Sequence, residues 1–350
     1  MNNPMSEKID PETYFQQGEN KFNAGRFEAA LKFYDKALNE NPNLVKALFS
    51  RGKVNEKLKK YKSAILDYTK IIELSPKNAN AYKNRGNVRS KLKQFDKAIT
   101  DFEISVDLNP KLVSSYNNMG IAKEIIGDYE GAINDYTKSI EINPRFASPY
   151  CNRGISKDFL NDYEGAYKDY SMAISLNPRF SSAYNNRGIL RQKLDDFVGS
   201  IEDFTEAIKI NPKFANAFSN RGISKIKLNN KNEALDDFDK AIEISPNFAT
   251  PYLNRAILNI EFKLYDEALI DCEKAININT KFANAYYQRG LIYEAIGKKS
   301  DLLVDMKKAI SLGDKDAVEY MKEIGNEWDC WLKLFTKVHS KFIFYFSLLH

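Results

Sequence analysis

The residues best suited to catalysis are few in this chain, and their spacing does not suggest an active site. The two histidines, His339 and His350, lie near the C-terminal end, and the three cysteines are far apart. A nucleophile with its base, a phosphate-binding loop or a set of metal ligands would each leave a recognisable pattern, and the sequence shows none. We therefore expect a protein that is not an enzyme and that uses no cofactor and no metal.

Asparagine and aspartate, in contrast, return at a fixed interval of 34 residues. A side-chain amide has two N–H donors and an acceptor oxygen, so it can pair with both backbone groups of an extended peptide. An acid that returns in nearly every repeat indicates a structural role and not a catalytic one. The asparagines are Asn84, Asn118, Asn152, Asn186, Asn220 and Asn254. The aspartates are Asp67, Asp101, Asp135, Asp169, Asp203, Asp237 and Asp271.

Glycine marks the same period, and Ala256 fills the one position where glycine is missing. We number each repeat so that this glycine is position 8, which places the asparagine at position 6 and the aspartate at position 23. A fixed period of this length predicts an array of units that bury their apolar faces against one another. The units begin at residues 11, 45, 79, 113, 147, 181, 215, 249 and 283.

Each unit is predicted to form two helices. In the second half of the fourth unit, Ala132, Ile133, Tyr136 and Ile140 have the spacing of one helical face. Proline at position 32 ends most units because it cannot continue a helix. Gly127 and Asn161 are expected to adopt positive φ between the two helices of a unit. Ser148 and Thr250, each followed by proline, are predicted to be N-caps; the second proline is Pro251.

Glycine at position 8, alanine at 20, an aromatic residue at 24 and proline at 32 together resemble the tetratricopeptide repeat family over residues 11–314. The resemblance implies an all-α fold, a right-handed superhelical α-solenoid. It also implies a non-catalytic protein–protein interaction scaffold or adaptor. First helices of this family line a concave surface, so the asparagines at position 6 would form a peptide-binding ladder there. The competing interpretation is that these amides bond across neighbouring first helices and only fix the twist between units.

Other functions of the family fit less well. Lys83, Asn87 and Asn118 partly match the carboxylate clamp that holds chaperone tails, but Ser148 and Asn152 lack the charge that its third unit needs. RNA binding would require a basic stripe or repeated stacking aromatics next to position 6, and neither is present. A substrate-targeting subunit of a separate enzyme and a self-assembling structural protein remain as alternatives. We expect protein or peptide partners and no nucleic acid, and the oligomeric state is left open.

Two features of the repeat depart from the family pattern. Position 7, usually leucine, is mostly arginine, and position 11, usually tyrosine, is mostly basic or polar, as in Arg89 and Lys157. Arginine 7 and aspartate 23 lie on the two helices of one unit, near the contact between glycine 8 and alanine 20. We therefore predict a ladder of arginine–aspartate pairs within or between neighbouring units.

Charge, cysteine content and the two terminal segments give further expectations. The 52 basic and 47 acidic residues give a formal charge of +5 without clustering, which argues against a nucleic-acid partner. Unpatterned cysteines favour a reducing, cytoplasmic location. Residues 1–10 form a polar leader, 315–325 a capping helix, and 326–350 an apolar aromatic tail too short to span a membrane. This tail could fold back on the array, have no role, or contact a partner or a membrane surface.

Overall fold

The computed structural model describes residues 10–323, and these residues form helices joined by short turns, with no strand among them. The leader up to residue 9 and the tail predicted at 326–350 lie outside the described residues. The helices are α1 (Pro11–Asn23), α2 (Phe27–Glu40), α3 (Val45–Lys57), α4 (Tyr61–Leu74), α5 (Ala79–Lys91), α6 (Phe95–Leu108), α7 (Val113–Ile125), α8 (Tyr129–Ile142), α9 (Ala147–Phe159), α10 (Tyr163–Leu176), α11 (Ser181–Lys193), α12 (Phe197–Ile210), α13 (Ala215–Lys227), α14 (Lys231–Ile244), α15 (Ala249–Glu261), α16 (Tyr265–Ile278), α17 (Ala283–Ala295), α18 (Lys299–Ser311) and α19 (Lys315–Glu323).

The described residues form two compact bodies, residues 10–190 and residues 191–323, and the boundary falls within α11. In each body, consecutive helices pack against each other, and a first helix also touches the first helix of the next pair, as α7 does with α9 and α13 with α15. Each body is therefore a solenoid of helix pairs.

The turn inside each helix pair depends on one residue at position 15, which always adopts positive φ. Gly127 (φ 89°) and Asn161 (φ 62°) have this conformation as predicted, and Lys59 and Lys93 adopt it too, each with φ 58°. The N-cap prediction is wrong. Helices α9 and α15 start at Ala147 and Ala249, two residues earlier than predicted, and their N-caps are Phe146 and Phe248. Their prolines are tolerated because N–H groups of the first turn have no intrahelical acceptor.

Glycine at position 8 allows the two helices of a unit to pack closely around the aromatic ring at position 24. A Cβ atom on Gly154 would lie 2.7 Å from Cε1 of Tyr170, and one on Gly222 would lie 2.6 Å from Cε1 of Phe238. These rings are almost fully buried, as are the alanines at position 20. Ala256 is the exception at position 8, and the residue at position 24 of its unit is the smaller Cys272.

The arginine–aspartate ladder predicted from the sequence is confirmed, and the pairs lie within units. In the fifth unit, Nε and Nη2 of Arg153 donate to Asp169 at 2.8 and 2.7 Å. The same fork joins Arg51 to Asp67, Arg85 to Asp101, Arg221 to Asp237, Arg255 to Asp271 and Arg289 to Asp305.

The remaining nitrogen of this arginine reaches back to position 25 of the preceding unit. Nη1 of Arg153 donates to Oγ1 of Thr137 at 3.0 Å, and Nη1 of Arg85 donates to Oγ1 of Thr69 at 3.2 Å. The guanidinium of Arg153 also lies 5.7 Å from the ring centroid of Tyr150. One side chain therefore ties two consecutive units together.

Basic residues at position 11 supply a second cation to the same aspartate. Nζ of Lys157 lies 2.9 Å from Asp169. Burying a charged group is costly unless it is paired, and two cations offset this cost more than one does. The fourth unit has Met119 instead of arginine, and there Lys123 pairs with Asp135, at 2.8 Å. Burial raises the pKa of Asp135.

Candidate functional site

The asparagines at position 6 of α7, α9 and α11 are only partly exposed, and each forms a hydrogen bond to the preceding unit. Nδ2 of Asn118 donates to Oδ1 of Asn87 at 2.8 Å, and Nδ2 of Asn152 donates to Oδ1 of Asn117 at 3.2 Å. Nδ2 of Asn186 points to Sγ of Cys151 at 3.8 Å. These contacts have the geometry of the structural interpretation, in which amides link neighbouring first helices.

Such bonds leave part of each amide available, because an asparagine side chain can form up to about four hydrogen bonds. Asn118 also accepts from Nδ2 of Asn117 at 3.2 Å, whereas Asn152 uses one N–H. Within residues 10–323, Asn118 and Asn152 therefore combine a link between units with side-chain donors and acceptors that have no protein partner, on a partly exposed surface.

The other members of the series differ in their surroundings. Asn84 is 9% exposed and lies close to the hydroxyl of Tyr68 from the preceding unit. In the second body, the backbone oxygen of Asn220 accepts from Nε2 of Gln192 at 2.9 Å. Nδ2 of Asn254 is buried with no partner among residues 10–323. The six amides are thus equivalent in sequence but not in environment.

The residues that partly match a carboxylate clamp are brought only partly together. Asn87 and Asn118 are bonded to each other, while Nζ of Lys83 donates to Oδ1 of Asn80 at 3.0 Å. Burial lowers the pKa of Lys83, and nearby Lys53 lowers it further. The clamp remains a partial match, as the sequence indicates.

A further set of contacts, missed in the sequence, lies on the same helices at position 12. Where position 24 is tyrosine, its hydroxyl can bond an acid on the first helix of its own unit. The hydroxyl of Tyr68 donates to Glu56 at 2.7 Å, and that of Tyr136 to Glu124 at 3.3 Å. Where position 24 is phenylalanine, as at Phe102, position 12 carries no acid. This pairing of residue types could have been found by comparing units.

Comparison with known proteins agrees with this geometry. Sequence profiles described as "Tetratricopeptide repeat" match residues 11–44, 45–78, 79–112, 181–214 and 215–248, and one described as "TPR repeat" matches residues 125–156. The chain belongs to the tetratricopeptide repeat family. The architecture of these repeats is that of a protein-interaction scaffold. No curated protein sequence matches the chain.

Solved tetratricopeptide repeat proteins share the fold. One from Parabacteroides merdae ATCC 43184 is 20% identical, with a TM-score of 0.58 over 71% of this chain and 98% of its own. The APC/C hetero-tetramer Cut9-Hcn1 is 15% identical, with a TM-score of 0.59 over 89% of this chain and 75% of the other. At these identities the likeness concerns the fold alone.

Other kinds of site can be assessed for residues 10–323. Within them, no group of three or more histidine, cysteine, aspartate or glutamate residues could hold a metal ion. No helix in that range is both long and apolar enough to span a membrane. Cys151 and Cys272 are free thiols, and burial raises the pKa of each to about 12. Buried thiols with raised pKa are poor nucleophiles.

Proposed function

We propose that this protein is a non-catalytic scaffold that binds an extended segment of a partner protein along its first-helix surface. The amides at position 6 would pair with the backbone of that segment. The observation that carries the proposal is the run of Asn118, Asn152 and Asn186 in three consecutive units of one body. All three are partly exposed, and Asn152 uses one of its hydrogen-bonding groups.

Backbone pairing of this kind gives affinity with little sequence preference. Each net hydrogen bond is worth about 0.5–1.5 kcal/mol, so three rungs would contribute a few kcal/mol at most. A protein that binds its partner only through these amide–backbone hydrogen bonds would be an adaptor of moderate affinity. A substrate-targeting subunit of a separate enzyme would bind its substrates on the same surface. It would be distinguished from a general adaptor by a catalytic subunit that co-purifies with it in a fixed ratio.

The test is the triple variant Asn118→Ala, Asn152→Ala and Asn186→Ala, assayed on an array of extended peptides. We expect binding at least about tenfold weaker, since a loss of about 1.4 kcal/mol corresponds to that factor. Asn43→Ala, at an exposed turn residue, is the control and should bind as the wild type does. Circular dichroism must show unchanged helicity, and equal binding by triple variant and wild type would refute the ladder.

A further inference from the structure

The ends of α5 and α9 contact the preceding unit through position 13. In α5 this residue is Lys91, whose Nζ lies 5.8 Å from the ring centroid of Tyr61 and 3.1 Å from Oε2 of Glu56. Tyr61 is position 17 and Glu56 is position 12 of the preceding unit. Lys91 therefore neutralises the acid that also receives the hydroxyl of Tyr68.

Two units later, phenylalanine takes the place of this lysine. The ring of Phe159 stacks on Tyr129, the counterpart of Tyr61, with centroids 4.7 Å apart and planes at 10°. Glu124, the counterpart of Glu56, accepts from Oγ of Ser156 at 2.8 Å and from the hydroxyl of Tyr136. No cation of residues 10–323 pairs with it, and burial raises its pKa.

Exposed apolar side chains lie on the two helices that carry this carboxylate and its Ser156 donor. Phe159 is 62% exposed and Ile125 is 57% exposed, and Ile121 lies one turn before Ile125 on α7 at 37%. Ser156, which holds Glu124, lies one turn before Phe159 on α9. Large apolar side chains with this exposure are unfavourable in water when they are clustered, and such clusters mark interaction sites.

We infer that Glu124, Ile121, Ile125 and Phe159 form a subsite, the Glu124 subsite, for a lysine or arginine side chain of the bound segment. The aliphatic stem would lie over Phe159 and Ile125, and the cation would bond Glu124 as Lys91 bonds Glu56. Long basic side chains combine these two properties, since they bury their methylene groups beside a charged end. A purely apolar occupant would remove water from the carboxylate without supplying a cation, and an acidic occupant would be repelled.

This inference rests on the proposed function and adds the chemistry of the partner: an extended segment with a basic residue among apolar ones. Three substitutions test the subsite independently of the asparagine ladder. Glu124→Gln removes the charge but keeps an oxygen for Ser156 and Tyr136. Glu56→Gln is the matched control, because that acid already has Lys91. Phe159→Lys would supply the cation from within the chain and occupy the subsite.

The experiment measures binding of the full chain to arrayed decapeptides that carry arginine, lysine, glutamine or glutamate at the centre of a leucine-containing sequence. The wild type should prefer the two basic peptides to the glutamine peptide by about tenfold, as expected for one charge-assisted hydrogen bond. Glu124→Gln and Phe159→Lys should lose this preference but still bind the glutamine peptide. Glu56→Gln should keep it.

The outcomes distinguish the two ideas. Equal binding of all four peptides by the wild type, weakened by the asparagine substitutions, would overturn the subsite and leave the ladder intact. A preference that Glu124→Gln retains would also overturn the subsite. Binding of no peptide by the folded chain would overturn the ladder and the subsite together.

Discussion

The contact between positions 8 and 24 predicts that two substitutions in the eighth unit compensate each other. In the seventh unit, a Cβ on Gly222 would lie 2.6 Å from Cε1 of Phe238, so that ring requires glycine. The eighth unit has Ala256 and Cys272 at these positions, both fully buried. Cys272→Phe alone should force a ring against the Ala256 methyl group, and overpacking of this kind costs about 1–3 kcal/mol.

The second substitution should reverse this cost. Ala256→Gly alone should destabilise by about 1 kcal/mol, because glycine disfavours a helix interior. In the double variant the same glycine makes room for the ring, which recreates the pair of the seventh unit. We therefore expect an interaction free energy of about 2 kcal/mol, within the range seen for residues in contact. The double variant should be more stable than Cys272→Phe.

Urea denaturation of the four proteins, followed by far-ultraviolet circular dichroism, measures this coupling, provided that the m values agree. Gly154→Ala offers an independent check. It should destabilise the chain although alanine favours helix by about 1 kcal/mol, because its methyl group would lie 2.7 Å from Tyr170. If the eighth-unit substitutions add within about 0.5 kcal/mol, the close contact does not determine the residue pair.

Three further predictions concern ionisable groups. Arg153→Met leaves Asp169 paired with Lys157, so the free energy of unfolding measured in urea should fall by about 1–3 kcal/mol. An unchanged urea midpoint would contradict the ionic role of Arg153. Burial raises the pKa of Asp135, so the stability from this group is present below about pH 4 and is lost as pH rises through the folded-state pKa. Asp135→Asn should remove this loss of stability, so the free energy of unfolding of the variant should depend less on pH than that of the wild type. If the two free energies change in parallel with pH, the reasoning is wrong. Burial raises the pKa of Cys151 to about 12, so iodoacetamide should modify it only on local unfolding; rapid modification of the folded protein would disprove this.

Much of the fold could be predicted from the sequence because the same residue types make the same contacts in every unit. Glycine 8, alanine 20 and proline 32 specify where helices pack closely and where they end. The arginine–aspartate ladder could be predicted because both residues lie near that contact. The prediction at Ser148 was wrong because proline is tolerated anywhere in the first turn of a helix. Its position therefore does not identify the first residue of the helix.

The candidate site could be predicted less completely. Sequence spacing shows that Asn118 and Asn152 are equivalent, but their partners, Asn87 and Asn117, depend on how neighbouring first helices are rotated. The period contains no direct information about that rotation. Glu124 was missed for a related reason, because its lack of a cation is visible only when the place of Lys91 in the preceding repeat is known.

The absence of an arginine fork in the fourth unit has a consequence for motion. Elsewhere in the first body, Arg85 and Arg153 fix two units through directional hydrogen bonds. Met119 instead packs in an apolar cluster with Phe102 and Val106, and apolar contacts have no preferred direction. The joint between the third and fourth units is therefore held by apolar contacts and by the hydrogen bonds of Asn118 to Asn87 and between Ser105 and Ser115. We expect it to resist rotation less than the joints that an arginine also bridges. Glu124 is bonded to Ser156 of the fifth unit, so a rotation at this joint would move the Glu124 subsite as one piece.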